Sequence, residues 1–327
     1  MEYRKKVTVL SCIIVALALI YVGAIVFDPA RRGAREDVYT WMNPRDTYRI
    51  SGITIALPPD HAGDAEAVVL TRAGRQWFVL RDGRNYPARP TRVDDFIAEL
   101  TRRAPFPVRA TSAAAHERLL LTEGDAARVT VASGMGLPLL DLLLGQNDLS
   151  GRNVYMRRAG QGEVRSGEDR FSAYVWAERS SWYDLALFRE SDDSHGISDV
   201  MRLIVYPPAT EDGYPPSPTM VFTRIGRNWE VNFDIEAVNA IRVDTYIRDI
   251  LMSTGEDFAN IHDVAGAAFD DSRIVLEFHN GSTTTIGFTT PDPNNRRLAS
   301  VSGTDFIYVV SAWMHQRLFP RAETFGL

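Results

Sequence analysis

The sequence contains a single cysteine, Cys12, so no disulfide can form within the chain and no site that needs several cysteine ligands can be built from it. Lysine is almost as scarce, because Lys5 and Lys6 are the only two and arginine supplies every later cation. The 42 acidic residues outnumber the 36 basic ones, which disfavours a protein that neutralises nucleic-acid phosphates. We therefore expect neither thiol chemistry nor nucleic-acid binding.

Sequence motifs for common catalytic chemistry are also absent. There is no G-x-x-x-x-G-K-[ST] phosphate-binding loop, no H-E-x-x-H zinc motif and no G-x-S-x-G nucleophile motif. The six histidines lack the spacing of metal ligands, and the neighbours His262 and Asp263 belong to no such motif. Adjacent carboxylates such as Asp270 and Asp271 do not converge on one substrate atom, so they indicate solvated turns. We therefore expect no catalytic residue, no metal site and no cofactor.

A long apolar run stands near the start of the chain. From Val7 to Phe27 it carries no charge, and a helix of that length covers about 30 Å, the thickness of the hydrocarbon core of a bilayer. A basic head of residues 1–6 before an apolar run is the arrangement of a signal anchor, although three cations flank the run on each side. We expect a single-pass anchor followed by a juxtamembrane linker over residues 28–47. A cleaved signal peptide or a lipoprotein is the alternative.

Two parts of the sequence resemble each other. Leu70 to Val79 reads LTRAGRQWFV and Phe222 to Val231 reads FTRIGRNWEV, with six of ten positions identical. Four further matches keep the same order along the chain, and the last aligns SSWYDLALF from Ser180 with SAWMHQRLF from Ser311. We predict a first repeat over residues 48–189, a linker over 190–199, a second repeat over 200–321 and a tail over 322–327.

Each repeat is predicted to begin with a strand and a hairpin. The hairpin turns at Gly74 or Gly226, because glycine accepts the positive φ of a tight turn. A helix follows with apolar residues at i, i+3, i+4 and i+7, and further strands and a short closing helix complete the repeat. The predicted fold class is α+β, with an N-terminal transmembrane helix and then two tandem repeats, each an antiparallel sheet with helices packed on one side.

Tryptophan recurs at matched positions of the two repeats. Trp77 and Trp229 follow the hairpin turns, and Trp182 and Trp313 lie in the aligned closing segments. One interpretation is that these side chains, with the turn glycines, are the structural signature of the repeat and belong to its core. The other is that they line a pair of aromatic grooves that bind an extended peptide or a glycan, which requires exposed rings.

Four features together resemble the bacterial DUF4340 family. They are the hairpin carrying Gly74-Arg75-Gln76-Trp77, the segment Tyr86-Pro87-Ala88, the run LLLGQNDLSGRNVYMRRAGQGEV from Leu142, and the closing SSWYDLALF. The resemblance covers most of the first repeat and, more loosely, the second, which lacks the Leu144-Gly145 motif. It implies an N-terminal membrane anchor and partnership with a gliding-type ABC transporter, through its permease and an auxiliary extracytoplasmic subunit. It brings no catalytic residue with it.

These observations favour a membrane-anchored, extracytoplasmic interaction module without catalytic activity, an accessory subunit of a gliding-type ABC export system. We expect it in the inner membrane, in contact with the bilayer through Val7 to Phe27, with the large C-terminal part outside the cytoplasm. Two alternatives remain. One is a cell-envelope hydrolase with a site between the repeats, and the other is a structural or ligand-binding envelope protein unrelated to transport.

Overall fold

The computed structural model describes residues 38–58, 67–188, 196–208 and 218–326, together with Leu17 and Tyr21. The predicted span from Val7 to Phe27 therefore lies outside the described residues except at those two positions, and so do the basic head and most of the linker 190–199. Within the described part of the chain, no helix is long and apolar enough to cross a membrane.

The chain divides into two compact units. The first comprises Met1–Asn85 with Pro90–Ala177, and the second comprises Tyr86–Arg89 with Glu178–Leu327. Residues 178–188, predicted as the end of the first repeat, are hydrogen-bonded within the second unit. There Leu187 N donates to Ser253 O (3.0 Å) and Gly255 N donates to Leu185 O (2.8 Å). The first unit of the fold thus ends at Ala177, ahead of the linker predicted from the sequence.

The described residues up to Ala177 form eleven strands and three helices. The strands are β1 (Val38–Tyr39), β2 (Ile50–Ala56), β3 (Val68–Ala73), β4 (Gln76–Arg81), β5 (Arg84–Pro87), β6 (Ala104–Pro105), β7 (Val108–Ala110), β8 (Ala127–Ser133), β9 (Pro138–Asn147), β10 (Asn153–Arg158) and β11 (Val164–Glu168). The helices are α1 (Pro90–Thr101), α2 (Ala113–Arg118) and α3 (Ser172–Val175). Nine strands form one sheet in the order β5-β4-β3-β2-β8-β9-β10-β11-β7, and β1 pairs separately with β6.

The second unit repeats this pattern with eight strands and three helices in its described residues. The strands are β12 (Val200–Tyr206), β13 (Met220–Ile225), β14 (Asn228–Val231), β15 (Asp257–Phe258), β16 (Ser272–Phe278), β17 (Thr283–Phe288), β18 (Arg297–Val301) and β19 (Ile307–Val310). The helices are α4 (Ala240–Leu251), α5 (Ile261–Val264) and α6 (Ala312–Leu318). The sheet order is β14-β13-β12-β16-β17-β18-β19-β15.

The two sheets share one topology. Strands β4-β3-β2-β8-β9-β10-β11-β7 of the first sheet correspond, one by one, to the eight strands of the second. In both, a hairpin and a helix follow the first long strand, and a short strand after that helix returns to the far edge. This shared order is what duplication of one unit produces, and antiparallel sheets dominate the fold while helices are few.

The closing segments correspond differently from the sequence match. Helix α3 follows β11 and α6 follows β19, so Ser172–Val175 is the counterpart of Ala312–Leu318. The sequence match instead places Ser180-Ser181-Trp182 opposite Ser311-Ala312-Trp313. Those earlier residues form a short 3-10 helix, Arg179–Trp182, that belongs to the second unit. Trp182 and Trp313 are therefore not equivalent, because the alignment joined two unrelated segments that share a serine and a tryptophan.

The two turn glycines adopt the conformation that the sequence predicts. Gly74 has φ +62° and Gly226 has φ +61°. Each is the first of two residues that connect a hairpin, β3 to β4 or β13 to β14. A positive φ at that position belongs to a type II′ turn, which matches the twist of the flanking strands and favours glycine over any other residue.

Helices α1 and α4 each bury the apolar stripe that their spacing predicts. In α1 the buried residues of the stripe are Val93, Phe96 and Leu100, and its fourth member, Ile97, is half-buried. In α4 all four are buried, namely Val243, Tyr246, Ile247 and Ile250. Helix α1 opens with Pro90, whose missing N–H costs nothing in the first turn. Helix α4 is capped by Asn239, whose side chain accepts hydrogen bonds from the next helical N–H groups.

Part of the predicted linker over residues 28–47 belongs to the first unit. Val38 and Tyr39 pair with β6, and Trp41 and Met42 are buried. Met42 N also donates to Leu100 O at the end of α1 (2.9 Å). The prediction of a linker up to residue 47 is therefore wrong from residue 38 onwards. A two-residue strand and a few large buried side chains leave no periodic pattern that a sequence could show.

The predicted tail over residues 322–327 is likewise part of the second unit. It forms a 3-10 helix, Ala322–Phe325, and Phe325 is buried against Phe222, with ring centroids 4.8 Å apart. Arg242 Nη1 donates to Gly326 O (2.6 Å), which fastens the segment to α4. The tail closes the core of the second unit, so a stretch that lacks hydrophobic periodicity is nevertheless structural.

Gly145, in the family-like motif of the first repeat, lies beneath a crossing segment of chain. A Cβ atom there would lie 2.1 Å from Leu119 O and 2.9 Å from Leu121 Cγ. Gln146 N donates to the same Leu119 carbonyl (3.1 Å). Gly287, in the corresponding strand β17, is crowded in the same way by Phe269 O at 2.4 Å. Glycine at these positions lets the segment ahead of β8 or β16 approach the sheet.

Candidate functional site

The four tryptophans singled out by the repeat differ in their exposure. Trp77, Trp182 and Trp229 are buried, whereas Trp313 is 64% exposed. An aromatic groove requires accessible rings, so the three buried indoles act as core residues that pin their segments to the sheet. Among these four, Trp313 is the one whose ring a ligand or a partner can contact.

Trp229 is fixed by a carboxylate on helix α4. Its Nε1 donates to Asp244 Oδ1 at 3.0 Å, and Arg224 Nη2 donates to the same oxygen at 3.0 Å. The Arg224 guanidinium also lies over the indole, 4.3 Å from the ring centroid, and donates to the backbone oxygens of Ile197 and Val200. This network joins the hairpin, the start of β12 and helix α4, so its role is structural.

The first unit holds its matching tryptophan less tightly. Arg72 lies over Trp77 with 5.7 Å between the guanidinium carbon and the ring centroid. Asp94 matches Asp244 in the aligned sequences, yet among the described residues no hydrogen bond joins it to Trp77. Both units therefore have a tryptophan and an aspartate at these matched positions, but the hydrogen bond between them is present in the second unit.

The second unit contains a serine and a histidine at hydrogen-bond distance. Ser272 Oγ lies 2.9 Å from His315 Nε2, and both residues are buried, with 1% of Ser272 exposed. Burial, with a smaller contribution from the charge of Arg297, lowers the pKa of His315 to about 3. A catalytic serine must meet its substrate, and a general base works best with a pKa near the operating pH. Ser272 is too buried to meet a substrate, and His315 is too weakly basic to act as a general base. The pair therefore contributes to the packing of the core.

A charged pair lies beside this histidine. Arg297 Nη1 is 2.5 Å from Asp271 Oδ2 and also donates to Thr289 O at 2.7 Å, and both charged side chains are largely buried. The rings of Phe288 and His315 meet edge to face, with 5.1 Å between their centroids. The carboxylate of Asp271 is therefore paired with an arginine and largely buried, so the prediction of a solvated turn is wrong for this residue.

Within the described ranges, no three histidine, cysteine, aspartate or glutamate side chains come together as metal ligands. Asp148 accepts hydrogen bonds from Asn153 and Ser150, and these lower its pKa to about 2. This carboxylate therefore stabilises the turn in which it lies. The acidic pairs Asp192-Asp193 and Glu211-Asp212 lie outside the described residues.

Trp313 is part of an ordered arrangement on the surface of the second unit. Arg317, one turn further along α6, lies over the indole with its guanidinium carbon 5.5 Å from the ring centroid. The same guanidinium donates to Asp249 Oδ1 of α4 at 2.7 Å. Sequence reasoning found Trp313 but not these partners, because Asp249 is 68 residues away and no local pattern connects the two helices.

The shared strand order and these sites define a protein with two tandem, antiparallel α+β units. Residues 77–220 match the model of DUF4340, a domain of unknown function, so this segment of the chain is similar to that family. The match runs from Trp77 in β4 to Met220 at the start of β13. No curated protein matches the chain, and no solved structure does.

Proposed function

We propose that this chain is a membrane-anchored, extracytoplasmic interaction module and an accessory subunit of a gliding-type ABC export system. The observation that carries the proposal is the Ser272–His315 pair, the arrangement of the described residues that most resembles catalytic machinery. It is buried, and its histidine has little affinity for a proton. Because this nucleophile and this base of the described residues are enclosed in the core, we infer that the chain acts through its surface, as an accessory subunit does.

The position of strand β1 supports a place near the membrane. Val38 already pairs with β6, so only residues 28–37 separate the predicted span from the first unit. Ten residues reach at most about 35 Å when fully extended. A domain on so short a tether remains close to the outer face of the inner membrane, where the permease of an export system is accessible.

Affinity purification of the full chain from detergent-solubilised membranes tests this function. We expect a permease and its ATPase to be enriched with it. As a control, residues 7–27 are replaced by an unrelated single-pass helix, which keeps the anchor and removes any recognition by the span itself. Enrichment that survives this exchange assigns the contact to the folded units. Recovery of neither permease nor ATPase by the natural chain would leave an envelope protein unrelated to transport, and the proposal would fail.

A further inference from the structure

Helices α4 and α6 present an exposed group of large side chains on the second unit. Trp313 of α6 is 64% exposed, and Met252, at the end of α4, is 73% exposed. We define the α4/α6 patch as these two residues together with Arg248, Asp249 and Arg317. Asp249 lies one turn before Met252, and Arg317 lies one turn after Trp313, so both apolar side chains border the ion pair that connects the two helices.

The ion pair orders the patch before any partner arrives. The Arg317 guanidinium donates a hydrogen bond to Asp249 and also stacks on Trp313. The helices are joined beneath it, because Tyr246 Oη donates to Leu318 O at 2.6 Å and Tyr246 is buried. A side chain that is already ordered loses little conformational entropy on binding, so this arrangement favours association.

The residue types of the patch identify the kind of partner. Tryptophan, methionine and arginine are the residues enriched in the cores of protein–protein interfaces, and tryptophan and arginine dominate their binding energy. Asp249, the acidic member, is paired with Arg317, while Arg248 is an exposed cation, so the patch carries one net positive charge. On a chain with net charge −6, this surface is locally basic and apolar, so its complement is acidic and apolar.

The first unit does not carry the patch. Counted from the N-cap residues Phe171 and Ser311, the position of Trp313 in α6 is taken by Ala173 in α3. Ala173 is exposed too, so the same place on the shared fold has a small side chain in one unit and an indole in the other. This difference provides a matched control within one molecule.

We propose that the α4/α6 patch binds a protein partner through an acidic segment whose apolar side chain packs on the free face of Trp313. The identity of that partner rests on the proposed function, which makes it a subunit of the export system. The binding surface itself rests on the geometry of α4 and α6.

Photo-crosslinking in native membranes tests the site. A photoreactive phenylalanine analogue replaces Trp313 in the full chain, and a second variant carries it at Ala173. We expect cross-links from position 313 to one acidic, apolar protein segment, identified by mass spectrometry, and at most a tenth of that yield from position 173. Cross-links mainly to lipid, equal yields from both positions, or none from position 313 would each overturn the patch.

The identified segment is then synthesised, and its affinity for the purified full chain is measured. Trp313→Ala and Arg317→Ala should each weaken binding about tenfold or more, while Met135→Ala, which removes an exposed apolar side chain from the β8–β9 turn, should leave it unchanged. Equal losses in all three variants would overturn the assignment. A segment from a protein other than a transporter subunit would confirm the patch but refute the accessory function, so the two proposals fail separately.

Discussion

Trp229 and Asp244 are joined by a hydrogen bond of 3.0 Å that connects a hairpin strand to the helix packed beside it. The same carboxylate oxygen accepts a bond from Arg224, so one acidic side chain orders both a donor and the cation stacked on the indole. The matching pair in the first unit, Trp77 and Asp94, has the same residue types and lacks this bond.

Replacement of this carboxylate should destabilise the second unit alone. Asp244→Ala leaves Trp229 Nε1 and one Arg224 N–H without their acceptor, and we expect a loss of about 1–2 kcal/mol in the free energy of unfolding. The control Asp94→Ala should change it by less than about 0.5 kcal/mol. Hydrogen exchange with mass spectrometry in increasing urea reports the two units separately. Equal effects of the two variants would show that the bond contributes nothing.

The crowded glycine of β9 gives a second prediction. Gly145→Ala forces a Cβ atom to 2.1 Å from Leu119 O, so the crossing segment must move, and we expect a loss of about 3 kcal/mol or more. Gly134→Ala is the matched control, because a Cβ atom there meets no atom within 4 Å and the residue has no positive φ. Thermal unfolding followed by circular dichroism measures both. A Gly145 variant as stable as the Gly134 variant would contradict the close approach.

The buried histidine predicts how the stability of the second unit depends on pH. In the folded unit the pKa of His315 is about 3, below the value of about 6.5 in an unfolded chain. The unfolded chain therefore binds a proton that the folded unit does not bind, and stability falls as pH decreases from about 6.5 towards 3.

His315→Gln should remove this part of the pH dependence while lowering stability at neutral pH. The two curves of unfolding free energy against pH are compared by urea titration with exchange readout, and the first unit of the same molecule serves as the internal control. Parallel curves for the natural chain and the variant between pH 6.5 and 4 would show that His315 does not cause the loss.

The contribution of residues 38–47 to the first unit is tested by two truncations. A variant that lacks residues 1–37 keeps β1 and the buried Trp41, so it should remain folded. A variant that lacks residues 1–47 loses Trp41 and Met42 from the core, and removal of a buried tryptophan side chain alone costs about 3–5 kcal/mol. Limited proteolysis should cut the first unit of the shorter variant much faster. Equal protease resistance would show that residues 38–47 are dispensable.

Much of the fold could be predicted from the sequence because its signals are local. The apolar stripes of α1 and α4 follow from their spacing, and the turns at Gly74 and Gly226 follow from the demand for positive φ. The repeated hairpin motif also revealed two units of one kind. These features depend on neighbouring residues, which a sequence displays directly.

The rest depends on contacts between distant residues. Ser272 and His315 are 43 positions apart, and no pattern announces their pairing or their burial. The sequence does not reveal that Trp313 is exposed, because the repeat match pairs it with Trp182, which is buried. The two residues are not equivalent, since residues 180–188 also belong to the second unit. A short motif with one tryptophan cannot distinguish a buried indole from an exposed one, since strand order decides which side of the helix is covered.

The edges of the two sheets determine how copies of this chain can associate. The outermost strands are β5 and β7 in one sheet and β14 and β15 in the other, and each has between two and four residues. Long unpaired edges recruit further strands and begin aggregation, whereas such brief ones offer few backbone groups. Extension of either sheet by a neighbouring molecule is therefore disfavoured, so these strands give copies of the chain little means of joining edge to edge.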